Sequence, residues 1–123
     1  MASLNPQSYV KPKDPKPEPT TTLTGATDAI DISTGSIFVI NRTGAVNATT
    51  LASPTAADEG RVIWIINGTT QANTITVAEG LGGNGAGGSY DLLTFTNVVA
   101  ANVTLRAYNL QWHMIGQYLV SVS

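Results

Sequence analysis

The chain has 123 residues and a formal net charge of −2, and charged residues make up only 11% of it. Beyond residue 18, the chain has three arginines and six acidic residues, so it offers no basic patch that could bind nucleic acid. The chain contains no cysteine, so disulfides and thiolate metal sites are excluded. Neither a secretory signal nor a stretch of about 20 apolar residues is present. We therefore expect one domain, made in the cytoplasm, that binds neither nucleic acid nor membranes.

Residues 1–22 are predicted to form an extended N-terminal arm. Five of the six prolines lie within the first 19 residues. Proline fixes φ, removes a backbone donor and makes the preceding residue extended, so residues 12–19 favour polyproline II. At about 3.1 Å per residue, the first 19 residues span roughly 50–60 Å when extended. A tail without a role and an arm that docks on a partner both remain open. Leu4, Tyr9 and Val10 favour docking, because they give a polar segment something to bury.

Residues 23–123 are predicted to form a compact all-β domain. Short runs rich in β-branched and aromatic residues recur every 10 to 15 residues, with glycine, asparagine and proline between them. That spacing is typical of an antiparallel β-sandwich, a jelly roll or a barrel. The predicted strands are residues 36–40, 61–66, 73–77, 92–96, 102–108, 111–116 and 117–122.

Three connections have recognisable local signals. The pair Asn67-Gly68 predicts a hairpin that joins residues 62–66 to residues 74–78 as antiparallel neighbours. The pair Asn109-Leu110 predicts a tight turn between the strands on either side of it. Residues 54–59 are expected to form at most one helical turn.

Two predicted strands, residues 37–40 and 62–66, are apolar on both faces. A strand of an antiparallel sheet with one wet face should alternate between apolar and polar residues. Either both faces are buried within the domain, or the second face contacts another subunit. On the second interpretation, the candidate interface residues are Phe38, Trp64 and Ile66.

No motif in the sequence carries catalytic or cofactor chemistry. Residues 80–85 match the pattern G-x-G-x-x-G, but no helix is predicted after them, so we interpret them as a loop. His113 is the only histidine and has no nucleophile elbow or further ligands to work with. Two acid pairs, Asp28 with Asp31 and Asp58 with Glu59, lack a calcium-loop pattern and fit turns. We expect no catalytic, cofactor-binding or metal-binding residues, and no enzyme activity.

Several stretches together resemble the small β-domains of tailed-phage head and tail-fibre proteins. Residues 24–32, TGATDAIDI, resemble an opening strand of these domains. Residues 58–67, DEGRVIWIIN, resemble a second strand, and residues 73–77 resemble its partner. Residues 102–116, NVTLRAYNLQWHMIG, are similar to the closing hairpin, except that Asn109-Leu110 replaces a turn that contains glycine.

The resemblance implies a bacteriophage virion protein, and within that group a capsid decoration, or cement, protein. Such proteins are commonly trimers on the capsid exterior, and their arms lie along the major capsid protein. The implied capsid contacts are Leu4, Tyr9, Val10, Lys11, Lys13 and Lys16, and the implied trimer interface is Phe38, Trp64 and Ile66. The alternative is a head-fibre, tail-fibre or receptor-binding module that is anchored by its arm, with loop 80–88 contacting a glycan. Either role places the protein on the virion.

Overall fold

Two mixed β-sheets form the framework of the computed structural model, which describes residues 18–82 and 91–123. The strands are β1 Thr20–Leu23, β2 Ile37–Ile40, β3 Ala48–Leu51, β4 Val62–Asn67, β5 Thr74–Val77, β6 Leu92–Phe95, β7 Asn102–Tyr108, β8 Gln111–Tyr118 and β9 Val120–Val122. One sheet has the order β1-β2-β4-β7-β8, and the other has the order β3-β5-β6-β9. The prediction of an all-β domain is confirmed. The sheets are not closed into a barrel, and the arrangement is compatible with a β-sandwich.

The core lies between the inner faces of the two sheets. Side chains alternate across a strand, and the inner positions carry the large apolar residues. The five-stranded sheet contributes Phe38, Ile40, Ile63, Ile65, Val103, Leu105 and Trp112. The four-stranded sheet contributes Leu51, Ile75, Val77, Leu93 and Phe95. The first strand, β1, spans the predicted boundary between arm and domain, and Leu23 at its end is buried in this core.

The expected hairpin at Asn67-Gly68 is wrong. Strand β4 pairs in parallel with β2 and antiparallel with β7, whereas β5 belongs to the other sheet. A type I′ turn needs positive φ at both central residues, and neither Asn67 nor Gly68 has one. Instead, the Gly68 N–H donates to Ile40 O at 2.8 Å. A Cβ on Gly68 would lie 2.8 Å from Val39 Cγ1, so glycine lets the chain pass close to β2 as it crosses between sheets.

The sheets are mixed, rather than antiparallel as expected, and the same crossing explains two of the three parallel pairs, the third being β1 with β2. Strands β2, β3, β4 and β5 alternate between the two sheets along the chain. Each of β4 and β5 therefore runs in the same direction as the preceding strand of its own sheet, and β2–β4 and β3–β5 are parallel pairs. The sequence signals describe single strands, whereas this alternation is a property of the whole chain.

Three further expectations have clear outcomes. Residues 24–32 form turns and a single bridge, Ala29 to Thr50, rather than an opening strand. Residues 117–122 do not form one strand, because the chain turns at Leu119, where φ is 56°, from β8 into β9 of the other sheet. The expected helical turn is confirmed as a 3₁₀ turn at Ala56–Asp58. Within the described residues, no helix has the length and apolar character needed to cross a membrane.

A chain of buried amides supports the crossing after β4. Asn47, Asn67 and Asn73 are fully buried. The Asn67 amide nitrogen donates to Gln71 O at 2.9 Å and to the Thr96 and Val98 carbonyls at 3.3 Å. Its oxygen accepts from Asn73 Nδ2 at 2.7 Å, and Asn73 Oδ1 accepts from the Asn47 N–H at 2.7 Å. These bonds satisfy buried polar groups that would otherwise destabilise the core.

The predicted tight turn at Asn109-Leu110 is confirmed. It joins β7 to β8, and its central residues have φ values of 53° and 65°, as a type I′ turn requires. Asparagine tolerates this conformation, but leucine does not, because its Cβ crowds the backbone there. Leu110 is also 54% exposed, so its side chain gains little from burial.

We expect Leu110→Gly to raise the free energy of unfolding by about 0.5–1 kcal/mol, because glycine removes the strain of positive φ. Leu110→Ala is the matched control: it shortens the side chain but keeps the Cβ, and should give no such gain. Urea unfolding followed by circular dichroism measures both. Equal effects of the two substitutions would contradict the strain explanation.

Candidate interaction surface

The outer face of the five-stranded sheet carries a stripe of apolar side chains. We call this the outer stripe: Ile37, Val39, Val62, Trp64 and Ile66. Their common orientation follows from the register, in which Ile37 lies opposite Trp64 and Val39 opposite Ile66. Val62 and Trp64 are each 41% exposed, and the other three are half-buried. The second apolar face of these two strands is therefore left uncovered by the described part of the chain.

Polar residues border the outer stripe on both sides. On one side, Thr20 and Thr22 of β1 lie opposite Ile37 and Val39. On the other side, the neighbouring residues of β7 are Asn102, Thr104 and Arg106. An apolar centre within a polar rim is the composition of a protein–protein interface.

Trp64 is held in a defined position on this face. Its indole Nε1 donates to Asn102 Oδ1 at 3.0 Å. The polar atom of the ring is thus satisfied within the sheet, while part of the ring stays accessible. A fixed aromatic side chain loses little conformational entropy on binding, which makes it an effective anchor.

One end of the outer stripe is concave. A groove of about 310 Å³ lies there, lined by Glu18, Ser36, Ile37, Val62, Ile63 and Trp64. Glu18, which lines this groove, is the first residue that the structure describes. The arm residues predicted to contact a capsid, Leu4, Tyr9, Val10, Lys11, Lys13 and Lys16, lie outside the described residues.

The three candidate interface residues do not share one environment. Trp64 and Ile66 lie on the outer stripe, the second apolar face of these strands. Phe38 points to the other face of β2 and is 0% exposed, so it is a core residue and is not available for direct contact with another subunit. Two-sided apolar runs reveal that both faces are apolar, but not which face points inward.

A second apolar area, on β8, was missed from the sequence. The pairing of β7 with β8 is irregular at one point. Thr104 pairs with Gly116 and Leu105 pairs with Met114, so Ile115 is an extra residue of β8. Ile115 and Tyr118 are 57% and 56% exposed. A β-bulge of this kind shifts side chains between faces, and the apolar run around Met114 gave no signal of it.

His113 lies on β8 at the edge of the sheet and has local partners. Its Nε2 is 3.1 Å from Tyr108 O, and its ring meets the Tyr108 ring edge-on. Gly82 donates its N–H to Trp112 O at 2.7 Å, and a Cβ on Gly82 would collide with the imidazole. Glycine at this position of the 80–85 motif therefore permits close packing on β8. Residues 83–90, which include the rest of the motif, lie outside the described residues.

Three of the paired acids bind neighbouring groups in turns. Asp31 accepts from the hydroxyl and the N–H of Ser33, and these bonds lower its pKa. Asp58 accepts from the N–H and the hydroxyl of Thr55, which likewise lower its pKa. The Asp28 carboxylate accepts from Asn47 Nδ2 at 2.7 Å. In the described residues, no group of three or more acidic or histidine side chains is placed to hold a metal ion.

Compared with models of known protein families and with curated protein sequences, the chain matches none.

Proposed function

We propose that the chain is a non-enzymatic capsid decoration protein that forms trimers on the capsid exterior and stabilises the lattice of the major capsid protein through its N-terminal arm. The observation that carries this proposal is the outer stripe, an apolar surface whose groove is lined in part by Glu18 of the predicted arm. Large exposed apolar patches are uncommon on monomeric soluble proteins and mark interaction sites. We choose a phage capsid as the assembly because most of residues 24–116 resemble phage virion domains.

Within this proposal, the domain and the arm have separate tasks. The domain assembles with two further copies through Trp64 and Ile66, at the exposed and half-buried positions of the outer stripe. The arm lies along the capsid protein. Its prolines restrict the free chain, so docking costs less conformational entropy than it would for a flexible tail. Three linked arms also bind more tightly than one, because each raises the effective concentration of the others.

The low charge of the chain fits dense packing on a protein lattice. Few charged groups must lose water when such a surface is buried, and charged residues are depleted at the centres of interfaces. The acids near the ends of the strands are engaged in turns, which agrees with a structural rather than a catalytic role.

Capsid binding by arm variants tests the proposal. In the full chain, Leu4→Asp, Tyr9→Asp and Val10→Asp together should reduce co-sedimentation with capsids of the virus that encodes the protein by at least about tenfold, because a loss of about 1.4 kcal/mol is already tenfold. The circular dichroism spectrum should not change. The matched control is Val99→Asp, at an exposed apolar residue of the domain, which should bind normally. Full binding by the triple variant would refute the role of the arm, and binding to host glycans without capsid binding would favour the fibre alternative.

A further inference from the structure

The groove at the end of the outer stripe has the features of a site for a proline-rich segment. Its walls are apolar, from Ile37, Val62 and Trp64. The indole of Trp64 is oriented by its hydrogen bond to Asn102 and is 41% exposed. Aromatic-walled grooves bind polyproline II segments, because proline rings pack on the aromatic face and the segment is already extended before it binds.

A segment of this kind adjoins the groove in the chain itself. Glu18 lines the groove, and the six residues before it are Pro-Lys-Asp-Pro-Lys-Pro. Three prolines in six residues disfavour both helix and strand and favour polyproline II. At about 3.1 Å per residue, the segment spans about 19 Å. Neighbouring strands are about 4.8 Å apart, so this length is enough to cross from β2 over β4 to β7.

One side chain of this segment, Asp14, is complementary to the charge on the far side of the outer stripe, and it lies between Lys13 and Lys16. Arg106 of β7 lies opposite Val62 and is exposed. Asp14 is the one carboxylate of residues 12–17 and precedes Glu18 by four residues, a distance of about 12 Å in polyproline II. Glu18 precedes β1, and the three strand spacings from β1 to β7 amount to about 14 Å. The long side chain of Arg106 can span the remaining difference of about 2 Å, so Asp14 can reach it when the segment crosses the groove.

We propose that residues 12–17 bind in the groove of their own chain, with Pro15 and Pro17 packed on Trp64 and Val62 and with Asp14 beside Arg106. The contact covers the groove end of the outer stripe, so Trp64 would lie between the arm segment and the neighbouring subunit, while the end at Val39 and Ile66 stays free for the rest of the proposed subunit contact. It also fixes the direction in which residues 1–11 leave the domain. This last consequence rests on the proposed function, because it gives the three arms of a trimer defined directions towards the capsid.

Acrylamide quenching of tryptophan fluorescence tests the contact in the full chain. The protein has two tryptophans, and Trp112 is only 1% exposed, so quenching reports mainly on Trp64. The Trp64→Phe variant supplies the baseline from Trp112. We expect Pro15→Gly with Pro17→Gly to raise the quenching constant of Trp64 by about twofold or more, because the ring loses its cover. The matched control, Pro6→Gly, changes a proline outside the segment and should match the wild type.

A charge exchange gives a second, independent measurement. Asp14→Lys should raise the quenching of Trp64, because three lysines then face Arg106, and adding Arg106→Glu should return it towards the wild-type value. Quenching that is the same in the wild type and in the double proline variant would overturn the proposal. Shielding of Trp64 that disappears on dilution would also overturn it, because a contact within one chain does not depend on concentration.

Capsid binding by the same proteins separates this inference from the proposed function. Shielded Trp64 in a wild-type protein that does not bind capsids would support the groove contact and refute the decoration role. Normal capsid binding by a wild-type protein whose Trp64 is unshielded would refute the groove contact and support the decoration role.

Discussion

Replacing Phe38 with alanine is expected to lower the free energy of unfolding by about 3–5 kcal/mol, the usual cost of removing a buried aromatic ring. Phe38 is 0% exposed and lies on β2, between β1 and β4 in the five-stranded sheet. Its neighbours cannot fully close the cavity that the ring leaves, because both flanking strands are held by backbone pairing.

The matched variant is Trp64→Ala on the opposite face of the adjacent strand. Trp64 is 41% exposed and makes one side-chain hydrogen bond, to Asn102. We expect it to cost only about 1 kcal/mol in the isolated domain, as is usual for partly exposed sites. Urea unfolding of both variants, followed by circular dichroism at one protein concentration, measures the difference. Equal costs would mean that the two faces of this sheet are buried alike, and would remove the basis for an outer stripe.

The second large effect is expected at Asn67. Asn67→Ala removes the amide that bonds to three backbone carbonyls and to Asn73, in a site where both asparagines are fully buried. Each buried polar group left without a partner costs about 1–3 kcal/mol, so we expect a total loss of about 3 kcal/mol.

Asn97→Ala is the control for this prediction, because Asn97 is an exposed residue of a nearby connection. Its effect should stay within about 0.5 kcal/mol. Thermal unfolding of the two variants beside the wild type makes the comparison. A small loss for Asn67→Ala would indicate that water replaces the amide, and that the crossing between the sheets does not depend on it.

Asn67 also illustrates what the sequence could and could not predict about the fold. Local patterns predicted most of the strands and the tight turn at Asn109-Leu110, because alternation and turn chemistry are short-range properties. They did not predict which strands pair. The Asn67-Gly68 pair marks a change of direction in many proteins, but here the next strand pairs in the other sheet. Burial of Asn67 adds to the difficulty, because asparagine is usually a surface residue.

The sequence indicated some of the residues that form the outer stripe. Apolar residues on both faces of two strands indicated a second apolar surface, and the structure locates it at Trp64 and Ile66. Phe38 was assigned to this surface because the sequence does not reveal which face of β2 points inward. The exposed residue Ile115 was missed because a bulge depends on the pairing of β7 with β8, which no local pattern encodes.

The copy number of the chain on purified virions tests the central claim most directly. The decoration role predicts that the chain is present on the capsid shell in groups of three and at a fixed ratio to the major capsid protein. Cryo-electron microscopy of the particle, with quantitative mass spectrometry of the same preparation, measures both. Absence from the shell, or a few copies confined to fibres or the tail, would contradict the account.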